Sequence, residues 1–487
     1  MADKFISREL IDTLAEREKK ISSKIITVAA GTTSSGLGDE RNLREFLLAD
    51  NIVKYFREKG KNVFFYLFDD SFDPLTHPKL KVGVKKDKEL IKKFEKYYGT
   101  PVKLIPDPYK CHNNYSIHFQ EEIITRLHDL GIFPTVIDVW SLYQHGHYDM
   151  AKEIVFKNYS NIPKILKKHF PNYTMKQIFW PLCPKCNNID NTKVLKVEKG
   201  QVLARCDHCR KRIKASWKGI RGKFSWKIDT AIKWNLFKPD FEPYMDAYLD
   251  PVAGSYLIAK VLSEEFFGGY FPKAIKIGKT NIDRELSFSL LPTCPRPVMD
   301  TLLLANRITR DIVISEKRVI SAAKNTLIEG DLSYYDYVRI RLPYDTVDFA
   351  TGRLNDENTI SLINFGREFS KKFLNRNLQL QLPSAQKLKD IEQKLKKLHI
   401  IPLINWIIEY KVDHSNSGHE KFLKALNMYL SDHKISRTEL FPFIHQILSV
   451  EKSIPLSKLF FFSPIGFLHD FLTILSEDVR KNKQQIS

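Results

Sequence analysis

Four cysteines carry the sharpest chemical signal in the chain. Cys183-Pro-Lys-Cys186 and Cys206-Asp-His-Cys209 form two C-x2-C pairs separated by 19 residues. Thiolate knuckles at that spacing can enclose one tetrahedral Zn2+ and leave no position for water, so the expected role is structural. The bland alternative is four unrelated free thiols. Directly after the second knuckle, eight cations occur without an acid: Arg210, Lys211, Arg212, Lys214, Lys218, Arg221, Lys223 and Lys227, with Trp217, Phe224 and Trp226 interleaved. Cations for phosphates and rings for stacking suit a nucleic-acid face. A basic ribbon whose aromatics fill its own small core fits the segment equally well.

The loop Gly31 to Gly38 (GTTSSGLG) followed by a helical pattern has the outline of a phosphate cradle, because free N–H groups at a helix start attract anions. Asp39 and Glu40, however, stand at the first helical positions, where a carboxylate caps those groups and complements the dipole. No Lys-Ser/Thr follows the glycines, so this is not a P-loop. Glu45 lies in the second turn of the same helix, and Asp69, Asp70 and Asp73 follow the next strand. Acids so placed can bind a cationic substrate or magnesium, or act only as solvated caps. His145 and His147 form an H-x-H pair with no third ligand nearby, which favours plain loop histidines.

These groups need a scaffold, and the hydrophobic pattern supplies one. Lys24 to Ala30 (KIITVAA) reads as a buried strand, the stretch from Asp39 to Gly60 as a helix, and Val63 to Phe68 as a second strand. Further strands are expected at Val102 to Ile105, Thr135 to Trp140 and Ala274 to Ile277, giving an α/β domain with a mainly parallel sheet. Ligands of such sheets lie at the carboxyl ends of the strands. Beyond about Leu302 the strand signals fade. From Ser384 amphipathic segments dominate: Leu388 to Leu398, Leu403 to Tyr410, Phe422 to Leu430, Leu440 to Leu448 and Phe467 to Val479. The expected organisation is a catalytic-type domain in two halves, 1–179 and 228–301, around an insert at 180–227. A connecting helical region at 302–383 and an α-helical domain at 384–487 follow.

Composition narrows the class. With 77 Lys plus Arg against 57 Asp plus Glu, the net charge is +20 and the pI about 9.4, which points to a polyanionic partner. The 43% hydrophobic content excludes disorder, collagen and a long coiled coil, and six cysteines are too few for a disulfide scaffold. No uninterrupted apolar run reaches the roughly 18 residues of a membrane span. Phe460 to Leu475 is apolar but is interrupted by Pro464, His469 and Asp470, as in a core helix pair. The start, Met1-Ala2-Asp3-Lys4, lacks a secretion-signal pattern. A soluble, cytoplasmic protein with no membrane partner is the expectation.

Taken in order, several strings resemble the class I lysyl-tRNA synthetases. They are Gly31-x-Thr33-x-Ser35-Gly36, Asn42-x-Arg44-Glu45, Asp69-Asp70, and Pro106-Asp-Pro-Tyr-x-Cys111-His112-x-x-Tyr115-x-x-His118-Phe119. Leu142-Tyr143-x-x-Gly146-x-Tyr148, Trp226-x-x-Asp229, Trp234, Asp240-Phe-Glu-Pro243 and Val252-Ala-Gly-Ser-Tyr256 complete the series. The resemblance spans about residues 24 to 290. It implies a Rossmann-like catalytic domain with a zinc-ribbon insert and an all-α, anticodon-binding-like C-terminal domain. The implied partners are tRNA and an amino acid of lysine type. Glu45 matches the carboxylate that receives the substrate ε-ammonium, and Gly31, Thr33 and Tyr256 match positions around the same ligand.

The departures fall on the phosphate chemistry. The family's Ser-Gly-x-x-His-x-Gly-Asn pattern reads here Ser35-Gly36-Leu37-Gly38-Asp39-Glu40-Arg41-Asn42, with Asp39 for the histidine and Arg41 for the glycine. At the KMSKS-type motif the chain reads Glu285-Leu286-Ser287-Phe288-Ser289-Leu290: both serines remain, and Glu285 and Leu290 replace the lysines. Each lost donor to a transferring phosphoryl group typically costs about two to three orders of magnitude in rate. The Gly-Lys-Asp-His segment is replaced around Met245 to Tyr248, and a tryptophan of the pocket becomes Thr230. Lys276, Lys279 and Arg284 are candidate substitute cations. The favoured expectation is a paralogue that binds tRNA and a lysine-like ligand with adenylation lost or strongly impaired. The alternatives are an active lysine–tRNA ligase that uses ATP and Mg2+ through substitute residues, and a zinc-ribbon nucleic-acid binder unrelated to tRNA.

Overall fold

The computed structural model describes residues 8–19, 21, 25–36, 40–282, 293–305, 307–345, 357–374, 380–384, 388, 395, 398–448 and 454–484. The chain runs α1 (Arg8–Glu18), β1 (Ile25–Thr32), α2 (Glu40–Glu58), β2 (Asn62–Asp69), α3 (His77–Gly83), α4 (Lys88–Phe94) and α5 (Tyr115–Asp129). It continues through β3 (Thr135–Asp138), α6 (Val139–Gln144), α7 (Asp149–Lys157) and α8 (Ile162–His169). The insert contributes β4 (Phe179–Pro181), β5 (Thr192–Glu198), β6 (Gln201–Cys206), β7 (Arg212–Ser216) and β8 (Gly222–Phe224). After it come α9 (Trp226–Phe237), β9 (Phe241–Met245), α10 (Ser255–Phe266) and β10 (Lys273–Ile277).

Five strands form one parallel sheet in the order β10-β9-β1-β2-β3. β1 is apolar along almost its whole length because a parallel strand is covered on both faces, and Val28, Ala29 and Ala30 are buried. In α2, Leu43, Phe46, Leu47, Ile52, Val53 and Phe56 are buried, and the turn after it closes at Gly60 with φ +74°. Arg44 in the same helix is fully buried. Its guanidinium donates to the carbonyls of Gly278 (2.8 Å), Arg310 (3.0 Å) and Leu303 (3.0 Å), beside the parallel pair Thr280–Ile282 and Ile312–Ile314.

Several expectations need correcting. Val102 to Ile105 is not a strand: Val102–Leu104 is a single 3-10 turn between Pro101 and Pro106, and prolines on both flanks remove ladder donors. The third strand stops at Asp138, whose carboxylate caps α6 through the Trp140 N–H (3.2 Å), so Trp140 is helical. β9 went unread because Pro243 sits in its middle. It pairs over five residues with β10 but at one register position, Val28 with Phe241, with β1. Short strands also persist beyond Leu302, at Ile312–Ile314, Leu327–Glu329 and Leu332–Ser333.

The insert is built from short antiparallel pieces: a three-stranded sheet β5-β6-β7 and the pair β4-β8. The chain divides into two compact units, 1–288 with 303–314, and 289–302 with 315–487. In the second, the helices Ile400–Asp413, His419–Asp432, Arg437–Ile447 and Ile465–Gln484 carry four of the five expected amphipathic segments. Leu388 to Leu398 lies mostly outside the described residues. Phe460 to Leu475 falls on two helices meeting at 106°, with Phe460, Phe462, Phe467, Leu468, Phe471 and Leu475 buried. Among the described residues no single helix is long and apolar enough to cross a membrane.

Candidate functional site

The strand order reverses between β1 and β9, and at the carboxyl ends of these strands lies a cavity of about 400 Å3. β1 and its loop supply Gly31, Thr32 and Thr33, β2 and its loop Asp70 and Asp73, and α2 Asn42 and Glu45. α9 supplies Trp226, Thr230, Lys233 and Trp234, and β9 Glu242 to Met245. Thr33 donates to Asp73 (3.1 Å) and the Ser34 N–H to Asp69 (2.9 Å), so the β1 loop is tied to the end of β2. Tyr115 of α5 donates to the Ser35 carbonyl (2.9 Å) and Gln120 to Asp69 (2.6 Å). Burial pushes the Asp69 carboxyl up to about 6, against the donors Ser34 and Gln120.

The acids at and behind this cavity fall into two sets. Asp70, Asp73 and Asp229 are matched by lysines: Lys233 reaches Asp70 (3.0 Å) and Asp229 (3.1 Å), Lys223 bonds Asp73, and Lys79 reaches Asp73 (3.2 Å). Burial alone would raise Asp73, but Lys223 and Lys79 hold it well below the usual carboxylate range. Asp229, fully buried, also accepts from the Tyr143 hydroxyl (2.7 Å). Glu45 and Glu242 form the second set and have no cation within ion-pair distance among the described residues. Glu242 accepts only from neutral donors such as the Trp234 indole N–H (2.8 Å). Burial, with Glu242 beside it, pushes Glu45 up to about 8, and burial also raises Glu242. One buried and one partly buried carboxyl, without a cation in ion-pair distance among the described residues, can receive an ammonium group.

Of the residues expected around the ligand, Gly31, Thr33 and Glu45 line the cavity, as do Thr230, Asp70 and Asp73. Tyr256 does not. Its hydroxyl donates to the Pro272 carbonyl (2.6 Å) and its ring packs behind Trp234 at 5.2 Å, so it supports the wall from outside. Asp39, Arg284, Glu285, Ser287, Ser289 and Leu290 lie outside the described residues, as does the side chain of Arg41. Lys276 pairs with Asp246 at 2.7 Å, both being exposed, and Lys279 is held through its N–H to Asp311 (2.7 Å).

In the insert, Cys183 and Cys209 approach to 3.5 Å and Cys186 and Cys206 to 3.7 Å, with all four Sγ atoms within 4.8 Å of one another. This donor set fits a closed four-thiolate centre. On β7, Ile213 points inward while Arg212 and Lys214 point out, and Arg210, Lys211, Lys218 and Arg221 are exposed as well. Lys223 stands apart: it is 5% exposed and committed to Asp73 and Asp70, so it faces the cavity acids and not a phosphate. Of the interleaved rings, Phe224 is core and Trp217 packs inward near Phe156, whereas Trp226 is 37% exposed at the cavity.

One cluster escaped the sequence reading although its residues were quoted within a longer string. Asp107, Cys111, His112 and His118 bring one donor atom each within 4.8 Å of the others. Cys111 Sγ is 3.1 Å from Nδ1 of both His112 and His118, and the two Nδ1 atoms are 3.1 Å apart. Glu121 takes His112 Nε2 at 2.7 Å and Glu122 lies 3.6 Å from His118 Nε2. Imidazoles with carboxylates on Nε2 and Nδ1 turned toward a thiol and a carboxylate have the ligand and outer-shell arrangement of a metal centre. The signal available in sequence was Asp107-x3-Cys111-His112 followed by a histidine in the first turn of a helix.

Residues 4–279 match the family described as tRNA synthetases class I (K). A lysine–tRNA ligase from Methanocaldococcus jannaschii is 32% identical over 272 residues, covering 54% of this chain and 49% of that protein. One from Archaeoglobus fulgidus is 24% identical over 392 residues, covering 78% and 70%. The chain thus spans about half the length of the first of these relatives. A solved arginyl-tRNA synthetase from Plasmodium falciparum aligns over 92% of this chain and 76% of its own at 10% identity and a TM-score of 0.30, a likeness too loose to inform the site. The match over 4–279, more than half the chain, makes this protein a member of the class I lysyl-tRNA synthetase family.

Proposed function

We propose that the protein binds tRNA and an amino acid of lysine type and that its ATP-dependent adenylation is lost or strongly impaired. The observation that carries the ligand half is the pair Glu45 and Glu242, with no cation in ion-pair distance among the described residues, in a strand-end cavity that Gly31, Thr33 and Thr230 also line. An ammonium entering there restores the ionised form of Glu45 and gains a charge-assisted hydrogen bond. The tRNA half is supported by the exposed cations Arg210, Lys211, Arg212, Lys214, Lys218 and Arg221 and by a net charge of +20. The adenylation half is supported by Asp39, Arg41, Glu285 and Leu290 in place of the family residues that meet ATP.

The two ligand clusters are read as metal centres. Zn2+ on Cys183, Cys186, Cys206 and Cys209 would be structural. A second ion on Asp107, Cys111, His112 and His118 would fix the start of α5, the helix whose Tyr115 and Gln120 hold the β1 loop. Metal analysis of the purified protein should give two equivalents, falling to one in His118→Ala.

The deciding experiment is lysine-dependent ATP–pyrophosphate exchange, beside Asp39→His/Arg41→Gly and with other amino acids as controls. Silence from a metal-loaded protein that binds tRNA supports the reading. Exchange by the wild type returns the chain to active lysine–tRNA ligase, the second reading, which the names of its relatives favour and which needs Mg2+ and ATP at the same strand ends.

A further inference from the structure

The amino ends of the same strands carry a second cavity of about 400 Å3, a volume in the range of ligand sites. A parallel sheet is ordinarily covered on both faces, yet at this end Ile25 of β1 is 40% and Phe64 of β2 47% exposed. The Phe64 and Tyr66 ring planes are 6° apart with centroids at 6.3 Å, and Phe237, at the end of α9, meets Tyr66 edge-on at 5.5 Å. The same lining carries charge. Lys238 stands 4.8 Å over the Tyr270 ring and donates to the Asn235 side chain (2.6 Å). Arg17 donates to the Phe271 carbonyl (3.4 Å), and its buried Nε has no hydrogen-bond partner among the described residues. Neither cation has a carboxylate within ion-pair distance among the described residues. Asp240, the acid of the lining, is buried and accepts from the Thr27 N–H (2.9 Å) and the Tyr270 hydroxyl (3.3 Å). Burial raises its carboxyl, with Arg17 acting only as a more distant charge, so two cations face at most one negative charge.

We propose that this cavity binds a small planar aromatic carboxylate. The inference is independent of the lysine and tRNA readings. A flat ring against Phe64, Tyr66 and Phe237 covers the bare part of the sheet and gains aromatic contact. Its carboxylate accepts charge-assisted hydrogen bonds from Arg17 and Lys238 and brings the lining to balance. A ring without charge leaves the Arg17 Nε unmet, and a small anion without a ring leaves the sheet face open to water. A phosphate dianion carries the lining past neutrality and repels Asp240. The ligand also sits on the clasp between β1 and β9. The Asp240 N–H donates to the Thr27 carbonyl (2.7 Å) and the Thr27 N–H to the Asp240 carboxylate (2.9 Å), beside the single register pair Val28 with Phe241. Occupancy should stiffen the join of two strands whose opposite ends line the strand-end cavity.

The test titrates the full chain with 2-naphthoate by calorimetry. Naphthalene-2-carboxamide supplies the ring without the charge, acetate the charge without the ring, and naphthyl phosphate a second negative charge. Binding of 2-naphthoate should be saturable and tighter than that of the carboxamide on the order of tenfold, from the charge-assisted bonds. Lys238→Gln should weaken it by a similar factor, and Phe64→Ser should abolish it. Both residues are exposed, and an unchanged thermal midpoint marks a folded variant. If Phe64→Ser fails that check, Lys238→Gln and Arg17→Gln carry the test. Saturating lysine and Glu45→Gln should leave the naphthoate affinity unchanged, which separates this cavity from the strand-end one. In hydrogen exchange the amides of Thr27 and Asp240 should slow in the bound protein. No binding of 2-naphthoate, equal binding of the carboxamide or acetate, competition by lysine, or indifference to the variants overturns the site. Tighter binding of naphthyl phosphate overturns the carboxylate assignment.

Discussion

The two sets of acids at and behind the strand-end cavity differ in how their charge is met. Asp70, Asp73 and Asp229 are matched from within by Lys223, Lys233 and Lys79, whereas Glu45 and Glu242 have no cation within ion-pair distance among the described residues, and Lys233 acts on Glu242 only as a more distant charge. A buried charge that the fold itself pairs is part of the architecture, and one that it leaves short of a cation is poised for a partner from outside. The first set joins α9 and the insert to the end of β2. The second lies on α2 and β9, across the point where the strand order reverses.

The contrast can be broken most severely on the matched side. Lys233→Ala leaves buried Asp229 without its ion-pair partner and Asp70 with Lys223 alone at 3.7 Å, and should destabilise the fold by about 3–5 kcal/mol, read from denaturant unfolding. Glu45→Gln should instead be tolerated or stabilising, while lysine binding weakens on the order of tenfold to a hundredfold by calorimetry, as expected for a lost charge-assisted bond. A Glu45→Gln that unfolded like Lys233→Ala would collapse the distinction.

The pH dependence sharpens the same point. The Glu45 carboxyl is raised to about 8 in the folded chain from the usual 4.5, so across that window the native state holds a proton that the unfolded state has released. With more protons bound in the native state, stability falls as pH rises from about 4.5 to about 8, and Glu45→Gln should remove that part of the slope. Lysine binding should run the other way, tightening up to about pH 8 and releasing close to one proton per ligand near neutrality, measurable in two buffers of different ionisation enthalpy. The smallest effect is expected far from either set. Arg212→Ala/Lys214→Ala should leave stability unchanged and reduce the slope of log affinity for tRNA against log salt by roughly one and a half units.

How much of this could be read in the sequence depended on whether the relevant physics is local. The gathering of the four thiols was legible because two C-x2-C pairs at that spacing can bring their sulfurs together, and β1 because its apolar run is short and ends in glycine. β9 was hidden by Pro243, whose usual meaning is the end of a strand. The cluster on Asp107, Cys111, His112 and His118 mixes three ligand types over a loop and a helix start, a pattern that spacing alone does not announce. Lys223 was misread for a different reason. In a run of eight cations nothing distinguishes the one that turns inward, because its partners Asp70 and Asp73 are some 150 residues away. Tyr256, placed by resemblance around the ligand, packs behind Trp234 and does not line the cavity.

Arg44 has a consequence for how the molecule opens. A single guanidinium buried in α2 holds carbonyls of three residues from two separate chain segments, and Gly278, one of them, leaves no room for a side chain because a Cβ there would lie 2.1 Å from the Arg310 carbonyl. The helix that carries Glu45 and the short strands beyond β10 therefore have one lock between them. In hydrogen exchange, amides of α2, Thr280–Ile282 and Ile312–Ile314 should lose protection as a single cooperative block, however far apart they lie along the chain.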